Sequence, residues 1–156
     1  MNPEIEPLSV SLLKRAVAAL GYHGYSTSDR DFNILLERNL DSYYRENIIG
    51  LTIEEDAKDV LSLHAYVNST FSSDSLGQLL EILNDFNMRN QSVRSWVHFD
   101  EELGQVEVRC GSDLMCDQGL HLEMLTDWIQ FAIETAISLY KHVIMEEKVP
   151  LGREIW

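Results

Sequence analysis

The stretch from Leu83 to Leu125 constrains this chain more than any other part of it. It contains LNDFNMRN, then SVRSWVHFD, then EELG, QVEVRC and finally CDQGLHLEML. A helical run ends on an asparagine-rich corner, two alternating runs flank a turn that finishes at Gly104, and a second helix opens beyond them. Alternation has a period of two and a helical stripe a period near 3.6, so each segment is tied to its own kind of element. Val93, Ser95, Val97 and Phe99 share one face of the first run, with Arg94, Trp96 and His98 on the other. Val106, Val108 and Cys110 pair with them to complete a hairpin. A hairpin held between helices places the chain in the α+β class.

The flanking sequence supplies the remaining elements. Ser9 is an N-cap residue, Val10, Leu13, Val17 and Leu20 follow at helical spacing, and Gly21 stands where a helix-ending glycine belongs. Val60 to Val67 alternate, with Leu61, Leu63, Ala65 and Val67 on one side, as in a half-buried strand. Ser72, Ser73 and Asp74 offer caps for a second helix whose stripe is Leu76, Leu79, Leu80, Leu83 and Phe86. The last helix is expected from near Gly119 to about Met145, which is roughly 40 Å at the standard rise. Its apolar arc contains Leu122, Leu125, Ile129, Ala132, Ile133, Ala136, Ile137 and Tyr140. Trp128, Phe131 and Leu139 widen that arc beyond what one packed face needs. Either they fill a deep groove against the sheet or they form an interface with another chain.

Residues 22–50 stay open between two readings. Phe32, Leu35, Leu36 and Leu40 fit a helical stripe, while Phe32, Ile34 and Leu36 fit a strand. Asn39, Asp41 and Gly50 read as punctuation, and Thr52 to Lys58 as an acidic, solvated loop. Met1 to Glu6 read as a frayed start and residues 146–156, with Pro150 and Gly152, as a flexible tail.

With 156 residues and 45% hydrophobic content, the chain suits one domain, 1–156, with its core over about 8–145. Lys and Arg total 12 against 26 Asp and Glu, a formal net charge of -14. Phosphate backbones and anionic membranes repel such a surface, so neither nucleic acid nor membrane is an expected partner. Basic protein segments are the partners such a charge attracts. Cys110 and Cys116 have neither redox nor zinc-knuckle spacing. Cys110 reads as a small buried hydrophobe and Cys116 as a loop thiol, consistent with the reducing cytoplasm. No apolar run approaches the roughly 20 residues that span a bilayer, and the N-terminus carries no signal-peptide pattern.

Chemistry-bearing motifs are sparse. The five histidines, His23, His64, His98, His121 and His142, include no pair at helical metal-ligand spacing. His98, Asp100 and Glu101 come nearest to a cluster, but neighbouring strand residues point to opposite faces. There is neither a nucleophile elbow nor a phosphate-cradling glycine loop. No cofactor, metal or catalytic residue is therefore expected. Asn84 and Asn87 form a polar corner in which Asn87 is expected to cap the second helix in a left-handed conformation.

Several segments together resemble the YbjN family, the bacterial sensory transduction regulators, and its actinobacterial members especially. LLKRAVAALGY is similar to the family's first helix, and LLEILNDFNMRN to its leucine run closing in an LN-[DE]-[WF]-N segment. That segment supplies Leu83, Asn84, Phe86 and Asn87. VRSWVHFDEELGQVEVRCGSDL resembles the family's hairpin, and QGLHLEMLTDWIQFAIETAISLY its final helix. The sequence departs from the family at His121, where Thr or Ser often caps the last helix, and at Met124-Leu125 in place of Gln-Leu. Ser28-Asp29-Arg30-Asp31 is a reduced form of the family's acidic and glycine motif in the first hairpin.

The resemblance covers about Leu8 to His142. It implies a type III secretion chaperone-like fold of order α-β-β-β-α-β-β-α, with strands within 31–49. It also implies a non-enzymatic, cytoplasmic regulatory or chaperone-like module that binds a protein partner or forms a homodimer. Trp96, Trp128, Phe131 and Leu139 are the expected interaction surface, and Asn84, Phe86 and Asn87 are the family's structural signature. The alternative is a small hydrolase-like enzyme built on a carboxylate or Cys116 site.

Overall fold

A serine, a glycine and four apolar residues are enough to set the first helix. In the computed structural model, which describes residues 4–36, 47–54, 60–66, 70–150 and 152, α1 runs Val10–Ala19. The Ser9 hydroxyl accepts the Leu12 backbone N–H at 3.1 Å, satisfying one of the four donors a helix start leaves free. Gly21, at φ 81°, ends the helix in the left-handed region that glycine enters without steric cost. Leu12, Leu13, Ala16 and Val17 form its buried face. Ahead of α1, β1 (Ile5–Glu6) pairs with β9 (Leu120–His121), so part of the expected frayed start is tied to the other end of the fold.

The open segment resolves into strands. These are β2 (His23–Ser26), β3 (Asp31–Leu36) and β4 (Asn47–Ile53), followed by β5 (Val60–Tyr66) and the short β6 (Phe71–Ser72). Pairing decides what periodicity left undecided: Phe32 opposes Leu51 and Ile34 opposes Ile49, giving the apolar face a partner that an isolated helix would lack. Gly50 lies inside β4 rather than at a boundary, and Thr52 and Ile53 belong to the strand rather than to a loop. Asn39, Leu40, Asp41, residues 55–58 and Val67 lie outside the described residues.

A 3-10 turn over Ser73–Ser75 leads into α2 (Leu76–Arg89). The predicted hairpin then follows as β7 (Arg94–Asp100) and β8 (Gln105–Met115). Asp100 Oδ1 accepts the backbone N–H groups of Glu102 and Leu103 at 3.0 and 3.1 Å, and Gly104 takes φ 62°. Asp100 thus closes its own turn, a local signal that the alternation-based reading of the hairpin did not use. α3 spans Leu122–Lys141 and continues into a π-helical turn, His142–Glu146. It starts later than Gly119 because Leu120 and His121 pair with β1.

The main sheet is antiparallel, in the order β2-β3-β4-β5-β8, with β7 on the far edge of β8 and β6 beside the start of β8. The expected order had three strands between α1 and α2, where the structure has five, the short β6 and β2 being the additions. The missed strand β2 is exposed at every position, so it carries no hydrophobic alternation to read. Among the described residues, helices cover one face of the sheet, with α3 against α1, β5 and β8, α1 against β2 and β3, and α2 against β7. Between them lies the core of Ile34, Ile49, Leu51, Leu61, Leu63, Val106, Leu125, Ile129 and Ile133. Tyr140 anchors α3 to the sheet by donating its hydroxyl to the Ala65 and Val108 carbonyl oxygens at 2.8 and 3.0 Å. Part of the tail is also fixed: Val149 is buried, and the Gly152 N–H donates to the Thr70 carbonyl at 2.6 Å.

Candidate functional site

The asparagine corner is a structural joint. α2 runs through Asn87 to Arg89, so Asn87 is not the cap; Asn90 is, with its Nδ2 on the Phe86 carbonyl at 2.9 Å. Asn87 instead reads the backbone of β7. Its Nδ2 donates to the Ser95 carbonyl at 3.0 Å, and its Oδ1 accepts the Ser95 N–H at 2.8 Å and the Ser95 hydroxyl at 3.0 Å. A carboxamide carries the same donor and acceptor as a peptide group, so Asn87 stands in for a neighbouring strand at an edge that would otherwise be open. Asn84 is exposed, and Phe86 is half-buried.

The four residues expected to form one surface are dispersed. Leu139 is 2% exposed and belongs to the core, because α3 is contacted by α1 on one side and the sheet on another. That two-sided packing widens the buried arc that looked excessive from the sequence. Trp128 is half-buried against the same core. Phe131 is 52% exposed on α3. Trp96, 38% exposed, lies on the opposite side of the sheet. Leu80, expected in the buried stripe of α2, is 48% exposed.

Phe131 opens onto a groove of about 420 Å³ between α2 and α3, with walls that include Ile82, Phe86 and the edge of Leu139. Its rim carries Asp85, Glu134 and Glu146 against Arg89, together with His142. Arg89 is held by Asp85 at 3.0 Å, and His142 Nδ1 meets Glu146 at 2.5 Å. Three carboxylates against one guanidinium leave the rim negative, which favours a cationic or basic visitor.

A second depression, of about 480 Å³, lies on the uncovered face of the sheet. Asn33, Gly50, Thr52, His64, Trp96 and Arg109 line it. Register brings them together: Asn33 opposes Gly50, Gly50 opposes His64, His64 opposes Gly111, and Trp96 opposes Arg109. The Trp96 and His64 rings meet edge to face, with centroids 6.2 Å apart at 88°. Arg109 donates from Nε and Nη2 to Glu107 Oε2 at 3.0 and 2.7 Å. Thr52 donates its hydroxyl to Asp31 at 2.9 Å. Sequence reading missed this place because Gly50 looked like a strand end.

Neither cysteine is placed for nucleophilic chemistry. Cys110 is buried, and desolvation pushes its thiol up to about 12. Cys116 lies in a loop as a thiol outside any disulfide, but it is buried, with its sulfur 3.3 Å from the Leu114 carbonyl. Burial of Cys116 speaks against the alternative site built on it, since a reactive thiol needs exposure. Among the described residues, no three His, Cys, Asp or Glu side chains gather as metal ligands. His121 stands at the N-cap of α3 without a side-chain capping bond, and its Nδ1 is buried with no hydrogen-bond partner among the described residues. No helix of the described residues is long and apolar enough to cross a membrane.

Comparison with known proteins places the fold. The crystal structure of YbjN from E. coli, described as a "putative transcription regulator", superposes with a TM-score of 0.71 at 10% identity, covering 96% of this chain and 100% of that one. A chain in the HopA1–SchA chaperone–effector complex gives 0.51 at 13% identity, over 85% of this chain and 92% of its own length. Both likenesses bear on the fold, an α+β chaperone-like arrangement. No curated protein sequence matches. The family pattern described as "Putative bacterial sensory transduction regulator" matches residues 9–145, from the cap of α1 to the π-helical turn after α3, and the chain belongs to that family, YbjN.

Proposed function

We propose that this chain is a protein-binding regulatory module of the cytoplasm, without catalytic activity of its own, which holds an apolar, basic segment of a partner protein. The observation that supports this reading is the groove between α2 and α3. Phe131 is half-exposed over an apolar wall, and the rim is acidic. A partner side chain that covers Phe131 gains the apolar burial the fold leaves unused, on the order of 1.5–3 kcal/mol for one large side chain. Lys or Arg beside it meets Asp85, Glu134 and Glu146. Fold likeness to a chain of a chaperone–effector complex supports the same class of role. The chain's net charge of -14 speaks against a phosphate backbone as the partner.

Two synthetic amphipathic peptides test this, one of leucine and lysine and one of leucine and glutamate, titrated calorimetrically. The expected result is binding of the basic peptide alone, weakened about ten-fold or more in Phe131→Glu, equivalent to about 1.4 kcal/mol. Equal binding of both peptides, or indifference to Phe131→Glu, refutes the reading. Light scattering on the same samples shows whether a second copy of the chain fills the groove: a dimer that Phe131→Glu dissociates makes the partner the chain itself.

A further inference from the structure

The uncovered face of the sheet holds a glycine that the fold does not require. Gly50 sits in the middle of β4, between β3 and β5. Glycine inside a strand gives up packing and backbone entropy, and it often marks a turn, a bulge or a close approach of another group. Gly50 has no positive φ. A Cβ placed on it would meet Asn33 Oδ1 at 3.6 Å and the His64 carbonyl at 3.9 Å, both ordinary contacts. Other glycines of the sheet differ. A Cβ on Gly24 would lie 2.4 Å from the Asn33 carbonyl, and one on Gly111 would lie 2.7 Å from the Leu63 carbonyl. Those two are demanded by the chain itself, whereas Gly50 keeps clear the floor of the depression above it.

The walls around that floor have unused hydrogen-bonding capacity. The Asn33 carboxamide, the His64 imidazole and the Trp96 indole N–H make no hydrogen bond among the described residues. A carboxamide presents both donor and acceptor, a neutral imidazole one of each, and an indole a single donor. Trp96 also offers an aromatic surface beside the floor, 38% exposed. Charge around the site is close to balanced: Asp31, Glu107 and Asp113 share this face with Arg94 and Arg109. The chain as a whole, at -14, disfavours an anion.

We infer that this depression is a binding site for an uncharged planar heteroaromatic ring of the nucleoside class. The ring lies on the Gly50 floor beside Trp96, and its edge, which both donates and accepts, meets Asn33 and His64. A ring of this kind uses the flat floor, the aromatic wall and the mixed polar edge together. A phosphorylated form adds negative charge to an acidic molecule and binds less well. The site lies across the sheet from the α2–α3 groove, so the inference stands apart from the proposed protein-binding role.

The test is titration of the 15N-labelled full chain with adenosine, guanosine, cytidine and uridine, with methyl glucoside and the matching monophosphates as controls. The expected result is a saturable shift of the Trp96 indole and the Gly50 and Gly111 amide signals by at least one nucleoside, with Kd below about 1 mM. The monophosphate binds more weakly, and methyl glucoside gives no response. Gly50→Ala keeps or raises the melting temperature and weakens binding about ten-fold or more. His64→Ala, at an exposed position, weakens it without unfolding the chain. No saturable shift by any nucleoside overturns the inference, as does a response to methyl glucoside alone or equal affinity in Gly50→Ala.

Discussion

The two faces of the sheet are made by the same strands and follow different rules. On the inner face Ile34, Ile49, Leu63 and Cys110 lie in adjacent strands under α1 and α3, each fully buried or nearly so. On the outer face the corresponding positions are Asn33, Gly50, His64 and Gly111, open to solvent or only partly covered, apart from Gly111. Packing determines the inner face, where a missing methylene leaves a void that the close-packed interior cannot refill. Nothing in the fold determines most of the outer face. Its polar pairs, Thr52 on Asp31 and Ser62 on Asp113 at 2.6 Å, join adjacent strands and are part-buried, Ser62 itself being covered. What these strands owe to stability and what they owe to function is therefore separated by alternate residues along one chain.

The largest break in that contrast comes from Leu63→Ala. Leu63 is 0% exposed at the centre of the sheet, and truncation removes its transfer energy and leaves a cavity, for a loss of about 2–5 kcal/mol. Urea unfolding followed by circular dichroism measures it. A loss close to that of an outer-face substitution would mean that the helices do not seal the inner face.

A smaller loss is expected from Asn87→Ala, at the seam where α2 closes the β7 edge. The variant removes three hydrogen bonds to Ser95, and water reaches only part of what is left. The expected cost is about 1–3 kcal/mol. Hydrogen exchange should quicken at the Ser95 amide before the centre of the sheet responds. Uniform acceleration across β5 and β8 would show that the joint supports the whole fold rather than one edge.

Legibility in the sequence followed the same division. Ser9, Gly21 and Gly104 could be assigned because each acts on its own neighbours through a cap or a turn. β7 and β8 could be assigned because one face is buried and the other exposed, so alternation reports the pleat. Phe32 to Leu36 could not, because over five residues periods of two and 3.6 select overlapping apolar sets. Asn87 and Leu139 were misplaced for a common reason: their partners, the Ser95 backbone and the layer formed by α1 and the sheet, are distant in sequence or lie on two sides at once. Phe131 and Trp96, expected on one interaction surface, are both exposed, but which face each occupies depends on how the sheet lies against α3. The outer depression was hidden by Gly50, since a lone glycine reads as a break until its neighbours in space are known.

The smallest effect gives the sharpest test of the contrast. His64 is next to Leu63 in the chain, points to the other face, and makes an edge-to-face contact with Trp96. An exposed ring contact of this kind adds little, and surface substitutions away from caps, cores and strained backbone stay within about ±0.5 kcal/mol. His64→Ala is therefore expected to leave the urea midpoint nearly unchanged while Leu63→Ala lowers it strongly. If His64→Ala instead costs as much as a core truncation, the outer face is part of the stabilising structure, and the open floor at Gly50 needs a folding explanation. If it is neutral, the His64–Trp96 contact carries no structural duty.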